Sequence, residues 1–217
     1  MNIHKLKEAE HLFYLDYPQA FNSPELVKTL KKHNMSKISD FSHKSFAPEV
    51  FDTLDDQESI EHIIENMIKL VSKSSMVSLF EKPKFRDTVR AMTADEKIQL
   101  VLSLKDLLYG NEEVGFNNFL NLMAEYKLAK WTLITVFRCY HYPDSDFLFK
   151  PTTVKNIIKL FEIEDLVYKP KPTYAFFSAY RKILTEMKEQ VTPDLSPSMA
   201  AFSGFLMMSF DYVGEDK

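Results

Sequence analysis

Four glycines in 217 residues set the tightest limit on what this chain can fold into. Average usage is about 7%, because positive-φ turns, β-bulges and phosphate-cradling loops draw on the one residue that adopts them without a Cβ clash. Sandwiches, barrels and nucleotide-binding α/β folds are therefore disfavoured, and helices are favoured. Order itself is not in question. The chain is 45% hydrophobic and 27% charged, far from the composition of a disordered tail, a collagen-like fibre or a coiled-coil rod. Its length suits one large domain or two small ones.

Hydrophobic periodicity agrees with the glycine count. Ile60, Ile63, Ile64, Met67, Ile68 and Val71 fall on one stripe of a helix, preceded by Asp55 and Asp56. Glu58 and Glu61 in its first turns suit the positive helix start. Thr93 with Glu96 reads as a capping box opening a helix through Ile98, Val101, Leu102, Leu104 and Leu108, with Gly110 as its left-handed terminator. Phe116, Phe119, Leu120, Met123 and Tyr126 form the next stripe. Residues 128–140 are apolar nearly all round, which predicts a buried central helix stopped by Pro143. Val154, Ile157, Ile158 and Phe161 make a short helix with Pro151 in its first turn, and Pro170 and Pro172 a stiff connector. Tyr174, Phe177, Tyr180, Ile183, Leu184 and Met187 line another helix. Ser196-Pro197 opens a last one over 199–210.

Near the N-terminus, Ser23-Pro24-Glu25 starts a helix through Leu26, Val27 and Leu30, whereas 36–54 reads as irregular, with short turns around Pro48. No β-hairpin signal or internal repeat is present. The expectation is an all-α fold of eight to ten helices in one domain spanning 1–217. A division into 1–81 and 82–217 is the fallback, marked by Lys73-Ser74-Ser75 and Glu81-Lys82-Pro83-Lys84.

Bulk charge narrows the function classes. A net charge of -4 and a pI near 5.9 give no global pull towards nucleic acid or anionic lipid, although a local basic patch is compatible with both figures. Cys139 is the sole cysteine, so neither an intramolecular disulfide nor a Cys-rich zinc site can form. The first twenty residues lack the unbroken apolar core of a secretory signal, and no window approaches the eighteen or so apolar residues of a membrane span. A cytoplasmic protein with no membrane partner is the expectation.

Motifs for chemistry are few. Glu8-Ala9-Glu10-His11 is a Glu-x-x-His, but a di-iron site needs a second copy and further carboxylates, and Asp40-Phe41-Ser42-His43 is only a loose relative. Glu58, Glu61, His62 and Glu65 read as a solvated helix face. No metal or cofactor is expected. Cys139, His141 and Asp144 lie close in sequence, yet Cys139 falls near a helix C-terminus, where the dipole opposes a thiolate. Gly-x-Ser-x-Gly, Walker and dinucleotide-binding motifs are all missing. Trp131 and the methionines read as core.

The most site-like segment is Phe147-Leu148-Phe149-Lys150-Pro151-Thr152-Thr153-Val154-Lys155. A proline at a helix start leaves the following amides free, and Thr152, Thr153, Lys150 and Lys155 can join them around an anion. Lys159, Lys169, Lys171, Arg181 and Lys182 follow, against only Glu162, Glu164 and Asp165. Tyr168, Tyr174, Phe177 and Tyr180 are interleaved, a mixture suited to phosphates and stacked bases. Helix caps, snorkelling lysines and core aromatics account for the same residues without a ligand.

Leu128-Ala129-Lys130-Trp131, Phe149-Lys150-Pro151-Thr152 with Lys155, and Tyr168, Pro172 and Tyr174 resemble an uncharacterised group of bacterial helical proteins. That group carries Lys-Trp, then Phe-x-Lys-Pro-Thr-x-x-Lys, then Pro-x-Tyr. The resemblance covers about a quarter of the chain and implies a helical fold in which Lys150, Thr152 and Lys155 matter beyond capping. A fainter likeness is to helix-hairpin-helix DNA glycosylases, where a catalytic Lys precedes a buried helix and a catalytic Asp follows it. Lys130 matches the first place. The later position here reads Phe149-Lys150-Pro151, Asp144 and Asp146 fall early, and no glycine lies between Gly115 and Gly204 to build the hairpin.

The leading expectation is a non-enzymatic protein that binds a phosphate-bearing ligand or nucleic acid through 150–182, using Lys150, Thr152, Thr153, Lys155, Tyr174 and Arg181. The alternative is an enzyme acting on nucleic acid or a phosphorylated metabolite, with Lys130, Asp144 or Asp146 near a cleft. A third reading, protein–protein association, needs an exposed apolar patch on 199–210.

Overall fold

A computed structural model of the chain describes residues 1–52, 54 and 56–210, with the side chains at 29, 30, 32 and 33 outside that description. Asp55 and the Leu30 side chain, both part of the sequence reading, lie outside it. The described residues are all-α: eleven α-helices, short 3-10 turns and no strand. They divide into two units, one formed by Met1–Lys32, Pro143–Pro170 and the described part of Ala175–Lys217, the other by His33–Tyr142 with Lys171–Tyr174. Residues 73–84, the fallback boundary, lie inside the second unit.

The first unit holds α1 (Ile3–Asp16), α2 (Pro24–His33), α9 (Pro151–Leu160), most of α10 (Tyr174–Lys188) and α11 (Met199–Met208). Asn2 caps α1 by accepting the Lys5 amide, and its own amide and side chain reach the Phe161 carbonyl and the Glu162 carboxylate. Lys5 pairs with Glu162 at 2.9 Å, which fastens the start of α1 to the end of α9. Phe13 packs edge-on against Phe205 of α11 at 5.3 Å. Glu10 is 7% exposed. Burial pushes its carboxyl up, but hydrogen bonds from Lys7 and the Thr192 amide outweigh that and hold it below the usual range. Ser198, rather than Ser196, caps α11, its hydroxyl accepting the Ala201 amide. Met199, Phe202, Phe205 and Leu206 of that helix are buried and only Met207 is exposed, so it presents no broad apolar patch.

The second unit holds α3 (Met35–Ser45), α4 (Gln57–Lys73), α5 (Glu81–Ala91), α6 (Ala94–Tyr109), α7 (Glu112–Glu125) and α8 (Trp131–His141). All six residues of the stripe from Ile60 to Val71 are buried in α4, and Asp56 caps it through the Ser59 amide. The Thr93–Glu96 capping box forms as expected. Helices α4, α5 and α6 are pinned by a two-pronged Arg90–Glu65 pair at 2.8 Å and by Lys97–Glu61 at 2.6 Å. Central α8 buries nine of its eleven residues, Trp131 and Cys139 among them.

Four local expectations are corrected. Residues 36–54 contain a regular helix, α3, because its buried positions are Ile38, Ser39 and Ser42, and the two serines hide the period. Glu81-Lys82-Pro83-Lys84 is the first turn of α5, where proline costs no helical hydrogen bond. The central helix begins at Trp131, not 128: Lys127 turns left-handed at φ 57°, the Leu128 amide returns to the Met123 carbonyl, and α7 closes there. Gly110 is not left-handed (φ -107°, ψ -138°). Its lack of a side chain serves closeness instead, since a Cβ would crowd Asp106.

Candidate anion-binding face

Helix α9 forms because Val154 and Ile157 bury one side and Pro151 fixes the φ of its first residue. A helix advances about 100° per residue, so the opposite side carries Thr152, Lys155, Asn156 and Lys159, all four exposed. Lys155 and Lys159 are one turn apart and point to solvent together. The Lys155 ammonium lies 5.4 Å from the centre of the Tyr168 ring, within cation–π range. Neither lysine makes an ion pair with a carboxylate among the described residues.

The remaining predicted residues fall elsewhere. Lys150 caps α9 through its backbone, is half-buried, and sits above the apolar side of the helix rather than on the Thr152–Lys159 face. Thr153 is half-buried at the edge. Arg181 is drawn inward: it bonds the wholly buried Asp146 carboxylate at 3.0 Å and covers the Phe177 ring at 5.1 Å. Tyr174 belongs to the second unit and packs on Phe116 at 5.7 Å.

Behind α9 lies an aromatic cluster of the first unit. Phe149 and Tyr180 are buried, and their rings meet at 5.7 Å. Tyr168 and Phe176 are half-buried at its margin, 6.1 Å apart and nearly perpendicular. Burial pushes the Tyr168 and Tyr180 hydroxyls above the ordinary tyrosine range. This cluster sets the position of Tyr168, and Tyr168 in turn steadies Lys155.

Of the residues of the enzyme alternative, Lys130 belongs to the second unit and Asp144 and Asp146 to the first. Lys130 is exposed and caps α8. Asp146 is engaged by Arg181, and exposed Asp144 lends its backbone carbonyl to the Met199 amide and to Lys188. Glu8 and His11 are both exposed on α1, and no group of three metal-ligating side chains converges among the described residues. A groove of about 340 Å³ between α6 and α7, lined by Gln99, Leu102, Asp106, Asn118, Asn121 and Glu125, contains none of the predicted residues.

One constellation has no signal in the sequence. His141, 4% exposed, is engaged on every polar side. Tyr109 donates its hydroxyl hydrogen to the Phe46 carbonyl at 2.6 Å, so its oxygen accepts from His141 Nε2–H at 2.7 Å. The lone pair on Nδ1 then takes the Ser42 hydroxyl hydrogen at 3.1 Å. His43 Nε2–H donates to the His141 carbonyl at 2.6 Å. This pattern requires the neutral Nε2–H tautomer. Burial first, then the neighbouring His43 and Arg138, push the imidazole down to about 4, and burial raises Tyr109 to about 12. Although Ser42 and His141 are joined as a nucleophile and base would be, Ser42 is 0% exposed and no substrate carbonyl can reach it. The cluster is a buried polar tie between α3, α6 and α8.

Among the described residues no helix is long and apolar enough to cross a membrane. The chain matches no family model, no curated protein and no solved structure.

Proposed function

We propose that this chain is a binding protein that takes a phosphate-bearing ligand or nucleic acid on the exposed face of α9. The observation that carries the reading is the pair Lys155 and Lys159, one turn apart beside Thr152 and Asn156, without a carboxylate partner among the described residues. Lys5 and Arg181 of the same unit are, by contrast, neutralised by Glu162 and Asp146. Two ammonium groups side by side repel each other, and a phosphate between them relieves that repulsion while Thr152 and Asn156 offer hydrogen-bond donors. Tyr168 holds Lys155 over its ring and lowers the ordering cost of binding.

Site membership shifts accordingly: Thr152, Lys155, Asn156 and Lys159 form the contact face, Thr153 lies at its edge, and Lys150 lies off it. Arg181 acts structurally. The enzyme alternative is not preferred, because buried Asp146 is held by Arg181 and exposed Lys130 does not line the groove between α6 and α7.

Fluorescence anisotropy with a labelled single-stranded oligonucleotide, competed by inorganic phosphate, tests the reading. Binding should weaken steeply with salt, and K155A/K159A should reduce it at least about tenfold, each lost phosphate contact also lowering the salt slope by about one. Unchanged affinity in the double variant, with its folding intact, rejects the proposal.

A further inference from the structure

Residues 74–80 join α4 to α5, two helices that run antiparallel, as the Glu65–Arg90 pair requires. At the end of this connection Leu79 is 79% exposed and Phe80 is 90% exposed. Two adjacent large apolar side chains held almost wholly in water forfeit burial that most such residues obtain, and they need a reason.

The backbone beneath them is ordered by its own hydrogen bonds. Ser74 Oγ accepts the Met76 and Val77 amides at 3.2 and 3.3 Å and is itself bonded by the Tyr140 hydroxyl at 3.0 Å. Ser78 Oγ accepts the Phe80 amide at 3.2 Å, and the Ser78 carbonyl accepts those of Glu81 and Lys82. Val77 anchors the turn in the core at 3% exposure. With the Met76, Val77, Phe80, Glu81 and Lys82 amides satisfied internally, the tip forfeits few backbone hydrogen bonds on entering a medium poor in water. The same satisfaction leaves it few amides with which to recruit a partner strand.

Charge specifies the medium. Lys82 and Lys84 in the first turns of α5 flank the tip, whereas Lys73 at the end of α4 holds its ammonium over the Phe41 ring of α3, 4.8 Å from its centre. None of the three makes an ion pair with a carboxylate among the described residues, and the nearest acid, Glu81, already accepts the Thr132 hydroxyl at 3.0 Å. An apolar point flanked by lysines is complementary to an anionic lipid surface, where alkyl chains lie beneath phosphates.

We propose that residues 74–84 are a membrane-surface anchor, with Leu79 and Phe80 entering the interfacial layer of an anionic bilayer and Lys82 and Lys84 meeting its head groups. The expectation of no membrane partner rests on the lack of a spanning segment and of a global pull towards anionic lipid, and interfacial docking through a local basic patch needs neither. This site lies in the second unit and is independent of the α9 face.

The chain is sedimented with vesicles of phosphatidylcholine alone or mixed with phosphatidylserine. Binding to the mixed vesicles only is expected, weakening with added salt. L79S/F80S should lower it by at least about 30-fold, the loss from two unburied apolar side chains. K82Q/K84Q should lower it about tenfold or more. Both variants should unfold at the wild-type temperature, since the replaced groups are exposed or at the surface. No association with phosphatidylserine vesicles overturns the proposal. So does association that survives L79S/F80S but disappears in K155A/K159A, which would place lipid binding on α9. Self-association lost in L79S/F80S, with no vesicle binding, overturns it in favour of a protein contact.

Discussion

Replacing His141 by Gln should flatten the dependence of stability on acidity between pH 6.5 and pH 4. In the folded chain the imidazole is kept neutral, because Nδ1 must accept from Ser42 and burial disfavours the cation. Its pKa falls from 6.5 to about 4. A depressed value means that the unfolded chain takes the proton first. The contribution is complete above pH 6.5 and drains away as acidity rises, until nothing is left below about 4. That gap corresponds to about 3 kcal/mol, a large part of the roughly 5–15 kcal/mol typical of a folded domain. Urea unfolding of wild type and H141Q at half-unit steps from pH 7.5 to 4 measures it. Carboxylates held low by partners, such as Glu10 and Glu65, titrate alike in both proteins and cancel in the difference. H141Q starts lower at pH 7.5, since an amide replaces the ring imperfectly, and the two curves converge towards pH 4. Parallel curves across the whole range would refute the neutral, buried assignment.

Further outcomes follow from packing. Gly115 of α7 faces α6 so closely that a Cβ would overlap the backbone of Asp106 and Leu107, while a Cβ at Gly204 of α11 meets nothing. Gly115→Ala should therefore destabilise by at least about 1 kcal/mol despite the better helix propensity of alanine, and Gly204→Ala should stabilise by about 0.5 kcal/mol or more; the two melting temperatures should move in opposite directions. Arg181→Met leaves the Asp146 carboxylate buried without its guanidinium and should cost about 3 kcal/mol in urea unfolding. Oligonucleotide affinity of the folded R181M protein should stay close to wild type, which separates a structural arginine from a ligand-binding one.

What the sequence discloses here is what lies within a few residues. The α4 stripe, the Thr93–Glu96 box and Pro151 at the start of α9 are local patterns, and each forms as expected. Helix α3 escapes notice because serines occupy buried positions that apolar residues usually mark. Lys127 ends α7 in a conformation that nothing in its side chain announces. The exposed row Thr152, Lys155, Asn156 and Lys159 was readable by helical arithmetic alone, once the buried side was known. Partners distant in the chain were not. Asp146 lies 35 positions from Arg181 and withdraws a cation that composition had counted as available, and Ser42 lies 99 positions from the histidine it bonds. Basic residues in a segment are visible as a sum, whereas their neutralisation depends on which acids the fold brings beside them.

The central claim is that α9 offers two uncompensated cations to a phosphate. Its most direct measurement is a titration of the isotopically labelled chain with a single-stranded oligonucleotide, followed by backbone amide and lysine ammonium shifts in nuclear magnetic resonance. Shifts concentrated on Thr152, Lys155, Asn156 and Lys159, with Arg181 unmoved and all of them reversed by salt, are the result expected. Shifts centred elsewhere, or none at saturating oligonucleotide, would contradict it.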